Sequence, residues 1–234
     1  TAVNRAAQMA TGEILIISDA NVMCAPDAIC ETVANFADSN IGSVVGRKRV
    51  TATESDLSKS DGLYWKYEAL IQSSESKVHS TFSVSGHLQA VRADLFEPIP
   101  PGTILDDQYI GLAVLNRGYR VIVEPNAICW EGSSAAMHGE VARRRRITAG
   151  RFALLTMLGR QFPNITRLQK FQLISHKVLR LFIPFYMLIA YLGNIFLVLG
   201  PDWFGQDIPP LRASLITLLI AQTVFYGAAL GGAV

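Results

Sequence analysis

Charged residues are distributed very unevenly along this chain of 234 residues. Only three of them, Asp202, Asp207 and Arg212, lie in residues 181–234, and the other 37 of the 40 precede that segment. A segment so poor in charge is typical of membrane-spanning helices, so we expect a globular body of about 180 residues followed by spans. The distribution excludes a disordered chain, a coiled coil and a uniformly hydrophobic channel. The net charge of +2 is too small to indicate nucleic-acid binding.

Two stretches of the C-terminal segment are long enough to cross a bilayer. Residues 181–200 and 213–234 carry no charge, and a helix of 20 residues spans about 30 Å. Four basic residues precede the first stretch: Arg167, Lys170, Lys177 and Arg180. Because basic flanks stay on the cytoplasmic side, we expect a multi-pass inner-membrane protein with a cytoplasmic body and an outward linker at 201–212. The alternative, two buried helices of a soluble core, is disfavoured because such helices seldom lack polar residues on every face.

The three cysteines, Cys24, Cys30 and Cys129, follow no disulfide or metal-binding pattern. Their number is odd and none belongs to a CxxC motif, so neither a disulfide framework nor a zinc site is predicted. We expect buried, reduced thiols, which fits a cytosolic body.

Alternating strand and helix patterns in the body predict an α/β fold. Strands are predicted at 13–18, 42–50 and 120–123, and helices at 2–9, 26–36, 57–78 and 107–116. The first strand is an apolar run rich in Ile, which is typical of a buried strand in a parallel sheet. In the helix at 57–78, the spacing of Leu63, Tyr67, Leu70 and Ile71 predicts one apolar face.

A helix of a different kind is predicted at residues 143–158. It begins with four arginines, at 143–146, and continues as an apolar run, a pattern typical of a helix in the membrane interface. A shorter amphipathic stretch follows at 168–174. The arginines suit either anionic lipid headgroups or the phosphates of a ligand, and one helix face can serve both.

Asp19 and Asn21 follow the first predicted strand directly. Ligands of α/β sheets bind at the carboxyl ends of strands, and carboxylate and amide oxygens suit a hard divalent cation that clamps a diphosphate. The alternative is that Asp19 and Asn21 form a turn or a cap and bind no cation, and from this segment alone that interpretation is favoured.

Two further segments carry candidate site residues. Adjacent carboxylates, Asp106 and Asp107, stand at a predicted helix start, where they suit the helix dipole or supply a general base whose pKa is raised by its neighbour. Upstream, Gly86 precedes His87, and Arg92 follows. Gly86 allows close backbone approach to a ligand, although an ordinary tight turn is the simpler interpretation.

The order of these motifs resembles that of the processive family 2 glycosyltransferases, which are related to cellulose, chitin and hyaluronan synthases, and most of all their bacterial exopolysaccharide branch. The likeness is carried by ATGEILIISDAN, GLYWKYE, SGHLQAVRADLFEPIP, ILDDQYIGLAVLNRGYRVIVEPNA and RRRRITAG, and extends from Thr1 to about residue 180. The resemblance implies an α/β fold of the GT-A type that binds nucleotide-diphospho-sugars. The family's first strands are missing before Thr1, so we expect the later part of a longer chain.

The resemblance implies which residues bind the sugar donor. Asp19 matches the first residue of the metal-binding DxD motif, and Asn21 replaces the second Asp. Arg143 and Arg146 match the first and fourth positions of the QxxRW motif, which holds the nucleotide diphosphate and the acceptor end. Ile147 replaces the motif's Trp, which removes an aromatic platform for a sugar.

The resemblance also implies an acceptor side. Asp107 matches the general base that deprotonates the acceptor hydroxyl, and Asp106 stands where a Glu usually precedes it. Gly86 and His87 match the segment that lines the acceptor site, and Arg92 matches an Arg that follows it.

Together these expectations describe a membrane-bound inverting glycosyltransferase that uses a UDP-sugar and Mg²⁺ or Mn²⁺ to extend a polysaccharide. The GT-A portion is expected at 1–140, interface helices at 141–180 and spans in 181–234. The expected partners are the UDP-sugar, a glycan acceptor, membrane lipid and polysaccharide export proteins, with no nucleic acid. Two alternatives remain: a transferase that moves one sugar to a polyprenyl phosphate or small acceptor, and a non-catalytic scaffold or pseudoenzyme of polysaccharide export.

Overall fold

The structure, a computed structural model, describes residues 1–50, 56–131, 137–200 and 209–231. Most of the predicted linker, and the end of the second predicted span, lie outside these residues. The chain divides into two compact units, Thr1–Ile174 and Ser175–Val234. The domain boundaries at residues 140 and 180 stay predictions.

Helices and strands alternate through the first unit, as the sequence predicts. In chain order the elements are α1 (Ala2–Met9), β1 (Ile14–Ile17), β2 (Val22–Cys24), α2 (Ala28–Ala34), β3 (Ile41–Val50), α3 (Asp56–Val78), β4 (Gln89–Arg92), α4 (Asp106–Asn116), β5 (Arg120–Glu131), α5 (Met137–Gln161) and α6 (Arg167–Leu173). Short 3₁₀ helices lie at Asn35–Ala37 and Ala93–Leu95, and a π-helical stretch at Ile174–Val178. The predicted α/β body is confirmed, and β5 extends well beyond its predicted end.

A mixed sheet with the order β1-β4-β3-β5-β2 forms the centre of the first unit. β3 and β5 are parallel, whereas β4 runs antiparallel to both β1 and β3. The prediction that the first strand bonds in a parallel sheet is therefore wrong, since β1 pairs antiparallel with β4, from Ile14 opposite Arg92 to Ile17 opposite Gln89. Because β4 reverses direction between them, β1 and β3 still end at the same edge of the sheet.

The core lies between this sheet and α4. Residues on every side of α4 are buried, including Ile110, Leu112, Val114 and Leu115, and they pack in one cluster with Val45, Val91 and Val121 of the sheet. Each fully buried aliphatic side chain contributes about 1.5–3 kcal/mol. The helix ends where Gly118 adopts a φ of 86°, a conformation that glycine tolerates best. This packing fixes the start of α4, which carries the two adjacent aspartates.

α3 presents an unexpected face to the body. The predicted apolar face is wrong, because Tyr67 and Leu70 are 57% and 66% exposed. The buried face carries Glu68, Gln72 and Glu75 instead, because α3 packs against a polar stretch that precedes β4.

The second unit contains α7 (Leu179–Leu181), α8 (Ile183–Leu199) and α9 (Pro209–Gly231). α8 and α9 are joined by polar contacts, including Asn194 Nδ2, which donates to Gln222 Oε1 at 2.9 Å, and the hydroxyls of Tyr191 and Thr223 at 3.0 Å. Polar pairs of this kind hold helices together where the surroundings are apolar.

One helix among the described residues is long and apolar enough to cross a membrane by itself, at Pro210–Gly231 within α9. The other predicted span, at 181–200, is not confirmed. α8 has 17 residues and meets the length requirement only together with the stretch Arg167–Leu181, from which it is bent by 63°. Pro184 in its first turn lacks a backbone N–H, which suits a helix start after a break.

Candidate active site

The turn after β1 is attached to the start of β4. Asp19 N–H donates to Gly86 O at 2.9 Å, and Ser18 Oγ donates to His87 O at 2.8 Å. Val22 N–H then closes the turn onto Asp19 O at 3.2 Å. These bonds fix the backbone of Asp19 beside Gly86, although the two are far apart in sequence.

Gly86 is a point of close approach. A Cβ atom placed there would lie 3.0 Å and 3.1 Å from the two carboxylate oxygens of Asp19, closer than most Cβ contacts. The backbone of Gly86 does not have a positive φ, so the glycine is required by this approach and not by its conformation.

Asp107 also lies beside Gly86, in the first turn of α4. Its Oδ1 accepts from the N–H of Gln108 at 2.7 Å. Burial, with the negative charges of Asp106 and Asp19, raises the pKa of Asp107 to about 7, although hydrogen bonds from the backbone N–H groups of Gln108 and Gly86 act in the opposite direction. Asp19, Gly86 and Asp107 therefore meet in one place.

Asp106 is exposed, and its Oδ1 accepts from the N–H of Asp107 at 3.1 Å. The bond lies at the start of α4, where a carboxylate also meets the positive end of the helix dipole. The dipole interpretation and the site interpretation of the two aspartates are thus compatible.

α5 packs against the residues that precede the aspartates. A Cβ atom at Gly150 would lie 2.6 Å from Leu105 Cγ and 3.1 Å from Ile104 Cγ2, so the helix backbone touches this loop. At about 100° per residue, Arg146 and Arg143 lie within roughly 40° of Gly150 around the helix. Both are exposed, and they stand one and two turns before the contact. The helix thus carries Arg143 and Arg146 on the side that meets this loop.

His87 is buried, with 4% of its surface exposed. Its Nε2 donates to Gly46 O at 2.7 Å, since a carbonyl can only accept, and its Nδ1 lies 2.5 Å from Ser85 Oγ. The ring thus links the segment before β4 to β3. His87 follows Gly86 directly in the chain, but its ring points towards β3 of the sheet.

Arg92 is not brought to the site. It ends β4 opposite Ile14, about 10 Å along the strand from the end that meets Gly86. Its guanidinium donates to the carbonyl oxygens of Ile41, Phe36 and Asp38 at 2.8–3.1 Å and stacks on the Phe36 ring at 5.3 Å. Arg92 fastens the loop before β3, because an antiparallel strand carries it away from Asp19 and Gly86, and its contact with substrate stays a prediction.

The buried polar face of α3 was not predicted as part of the site. Glu68 Oε1 accepts from Ser83 Oγ at 2.7 Å, and Gln72 Nε2 donates to Ser83 O and Oγ at 3.2 Å and 2.9 Å. Glu75 Oε2 accepts from Thr81 Oγ1 at 2.9 Å. These bonds hold the segment that leads into Gly86. The spacing of positions 68, 72 and 75, one helix face, is the signal that could have indicated it.

The residues around Asp19 fit a cation that arrives with a diphosphate. Asp19 and Asn21 are both exposed at the turn and offer oxygen ligands. In the described part of the chain, no group of three or more His, Cys, Asp or Glu side chains could hold a metal ion. One carboxylate completed by phosphate oxygens and water is the usual arrangement for Mg²⁺, so the donor set suits a cation shared with substrate.

A solved structure has a similar fold. The chain is similar to the mannosyltransferase PcManGT from Pyrobaculum calidifontis, in complex with GDP-Man and Mn²⁺, with a TM-score of 0.63 and 23% sequence identity. The match covers 98% of this chain and 64% of that chain, so this chain spans less than two thirds of the similar protein. Likeness at this identity shows the fold, a GT-A-like α/β domain with a curled mixed sheet.

Sequence comparison extends over nearly the whole chain. No curated protein matches it. The family described as Glycosyl transferase family group 2 matches residues 14–230, which include Asp19, Gly86 and Asp107. The chain therefore belongs to glycosyl transferase family group 2 and carries a glycosyltransferase domain of that family.

Proposed function

We propose that the protein transfers a sugar, with inversion, from a nucleotide-diphospho-sugar to a growing polysaccharide at a membrane. The observation that carries the proposal is that the carboxylates of Asp19 and Asp107 both lie beside Gly86. Membership in the glycosyltransferase family supplies the reaction class.

On the donor side, Asp19 and Asn21 would hold a divalent cation, Mg²⁺ or Mn²⁺, together with the diphosphate. When bound, such a cation neutralises charge on the leaving group. Arg143 and Arg146 bind phosphate oxygens through their guanidinium groups, which are suited to that geometry.

On the acceptor side, Asp107 is the general base. Its carboxylate takes the proton of the acceptor hydroxyl while the hydroxyl oxygen attacks the anomeric carbon of the donor sugar. The bond from that carbon to the phosphate oxygen breaks, and the nucleoside diphosphate leaves. A pKa of about 7 suits a base that must accept a proton near neutral pH.

Gly86 and His87 position these groups. Gly86 leaves room for the Asp19 carboxylate, and His87 holds the Gly86 segment against β3. The face of α3 that bonds Ser83 also holds this segment. We assign His87 a positioning role in place of the predicted direct contact with the acceptor.

For the donor we propose a UDP-sugar, and for the location the inner membrane with several spans and a cytoplasmic catalytic domain. Export proteins and membrane lipid remain the proposed partners. The GDP-Man bound by the similar mannosyltransferase makes GDP-Man the necessary comparison in any donor assay.

Release of nucleoside diphosphate tests the function. Membranes containing the full-length protein are incubated with UDP-Glc, UDP-GlcNAc, UDP-GlcA or GDP-Man, and UDP or GDP is measured. We expect release from a UDP-sugar together with label in a polymer. Release from GDP-Man alone would contradict the UDP assignment, label in lipid alone would favour a lipid-linked acceptor, and no release from any donor would favour a non-catalytic scaffold.

Removal of divalent cations is expected to stop this release. EDTA should lower the rate at least tenfold, and Mn²⁺ or Mg²⁺ should restore it, because one carboxylate and one amide cannot neutralise a diphosphate. Full activity in EDTA would contradict the proposed role of Asp19 and Asn21.

The arginine pair is expected to act on the donor. Arg143→Ala combined with Arg146→Ala should raise the KM for the nucleotide sugar about 10- to 100-fold, as expected for lost charge-assisted hydrogen bonds. Arg145→Ala is the matched control, since Arg145 lies about 140° away from Gly150 around α5. An equal effect of the control variant would indicate lipid anchoring instead of phosphate binding.

A further inference from the structure

Two cysteines that are distant in sequence face each other across the sheet. β2 pairs antiparallel with β5, and the register places Cys24 directly opposite Cys129. Residues directly opposite in such a pair project to the same face of the sheet. Neither cysteine is in a disulfide, and nothing in the spacing of the sequence indicated the pair.

Antiparallel strands contain two kinds of opposite pair, and Cys24 and Cys129 form the kind in which the two Cα atoms are closer together. Ala25 N–H donates to Ile128 O at 2.9 Å, so the neighbouring residues form the hydrogen-bonded pair. The two kinds alternate, which makes Cys24 and Cys129 a non-hydrogen-bonded pair with a Cα separation of about 4.5 Å. A disulfide requires Cα atoms about 4.4–6.8 Å apart, so the backbone already satisfies this condition.

The surroundings distinguish the two thiols. Cys129 is fully buried in a small apolar cluster with Ala28, Leu88 and Ala127, whereas Cys24 is half-buried at its edge. Burial, together with the adjacent Cys24, raises the pKa of the Cys129 thiol to about 12. An oxidant therefore meets Cys24 first, and Cys129 is the thiol that resolves the reaction.

We propose that Cys24 and Cys129 form an oxidative modification site, which a low-molecular-weight disulfide of the glutathione class converts to an intramolecular cross-strand disulfide. The Cys24 thiolate attacks one sulfur of the oxidant, its S–S bond breaks, and one thiolate leaves. The Cys129 sulfur then attacks the Cys24 sulfur and expels the second thiolate, which takes up the Cys129 proton. Two protein thiols are oxidised and one small disulfide is reduced to two thiols.

The site adjoins the turn that carries the candidate cation ligands. β2 begins immediately after Asn21, and the register attaches this three-residue strand to β5. Asp19 thus lies between two strands. The first, β1, pairs with β4, and the second, β2, would be linked covalently to β5 by the disulfide. The proposal concerns the thiols alone, so it does not depend on whether the chain transfers a sugar.

Mass spectrometry of the full chain in detergent tests the proposal. The protein is incubated with glutathione disulfide, remaining thiols are blocked with N-ethylmaleimide, and peptides are analysed without reduction. We expect a peptide pair linked through Cys24 and Cys129, retained in Cys30→Ser and absent from Cys24→Ser and Cys129→Ala. A glutathione adduct that persists on Cys24, a linkage through Cys30, or three blocked thiols would overturn the proposal.

Thermal unfolding of the wild-type chain provides a second test. Because this test needs no substitution, its result does not depend on whether a variant folds. The closed loop contains on the order of 100 residues, so oxidation should raise the unfolding temperature by about 5 °C or more, and dithiothreitol should reverse the rise. The Cys24→Ser variant should show no such shift. An equal shift in that variant would contradict the assignment.

Discussion

Replacing Asp107 with Asn is expected to lower the rate of sugar transfer about 100- to 10,000-fold, the range usually lost with a general base. Asn keeps the size of the side chain and the acceptance of the Gln108 N–H but cannot take a proton at neutral pH. Transfer is measured as label in glycan in membranes containing the full-length protein. Asp106→Asn is the matched control, because Asp106 is exposed, and it should retain far more activity.

The same substitution should stabilise the folded protein at alkaline pH. Asp107 binds its proton up to a pH of about 7 in the folded state, against about 3.8 for an ordinary carboxyl group. Folding therefore takes up a proton between these values, so the contribution of Asp107 to stability falls as the pH rises through this window and stays low above it. Asn removes that cost. At pH 8 the variant should be more stable by an amount on the order of a few kcal/mol, and the difference should shrink towards pH 4.

Two results would contradict this assignment. Normal transfer by Asp107→Asn would exclude Asp107 as the base. Loss of both activity and stability at pH 8 would show that the carboxylate serves the fold instead. Wild-type transfer should also fall as the pH drops below about 7, with the midpoint lower when a cation is bound, because a positive charge at Asp19 opposes the repulsion that raises the Asp107 pKa.

Replacing Gly86 with Ala is expected to lower transfer at least tenfold while leaving the fold intact. The new Cβ would stand 3.0 Å from Asp19 Oδ1, so the carboxylate must move, while the backbone conformation of Gly86 accepts an L-residue. The displaced carboxylate should bind Mn²⁺ more weakly. We therefore expect the Mn²⁺ concentration for half-maximal rate to rise, with saturating Mn²⁺ recovering part of the loss.

Gly159→Ala is the matched control for this variant. A Cβ atom at Gly159 would have no neighbour within 4 Å, and alanine favours the helix that contains it. Its Mn²⁺ dependence should equal that of the wild type. If Gly86→Ala also kept the wild-type Mn²⁺ dependence, Asp19 would not be the cation ligand.

Local patterns predicted the helices and strands of the body because they depend on residues close in sequence. The strand before Asp19 and the helix that carries Asp107 lie within about one residue of where the patterns placed them. Only the order of the motifs, through the family resemblance, indicated that Asp19, Gly86 and Asp107 belong to one site. Its physical basis, the bond from Asp19 N–H to Gly86 O, joins distant segments and has no local signal.

The predictions that the structure contradicts or does not confirm share a cause: a local sequence pattern does not say which distant segment an element meets. Arg92 follows His87 closely, but β4 carries it to the opposite edge of the sheet. The α3 face was assigned from apolar spacing, whereas its partner is the polar segment around Ser83. The first predicted span, at 181–200, is not confirmed, because the break at Phe182 leaves a helix of 17 residues that reaches the required length only together with the stretch before it.

The most direct test of the account is a cryo-electron microscopy map of the full-length protein with Mn²⁺ and either UDP or GDP. The account predicts density for the cation at the Asp19 carboxylate, with the diphosphate next to the cation and the Asp107 carboxylate nearby, beside Gly86. The account would be contradicted if the diphosphate bound elsewhere, with neither Asp19 nor Asp107 near the ligand.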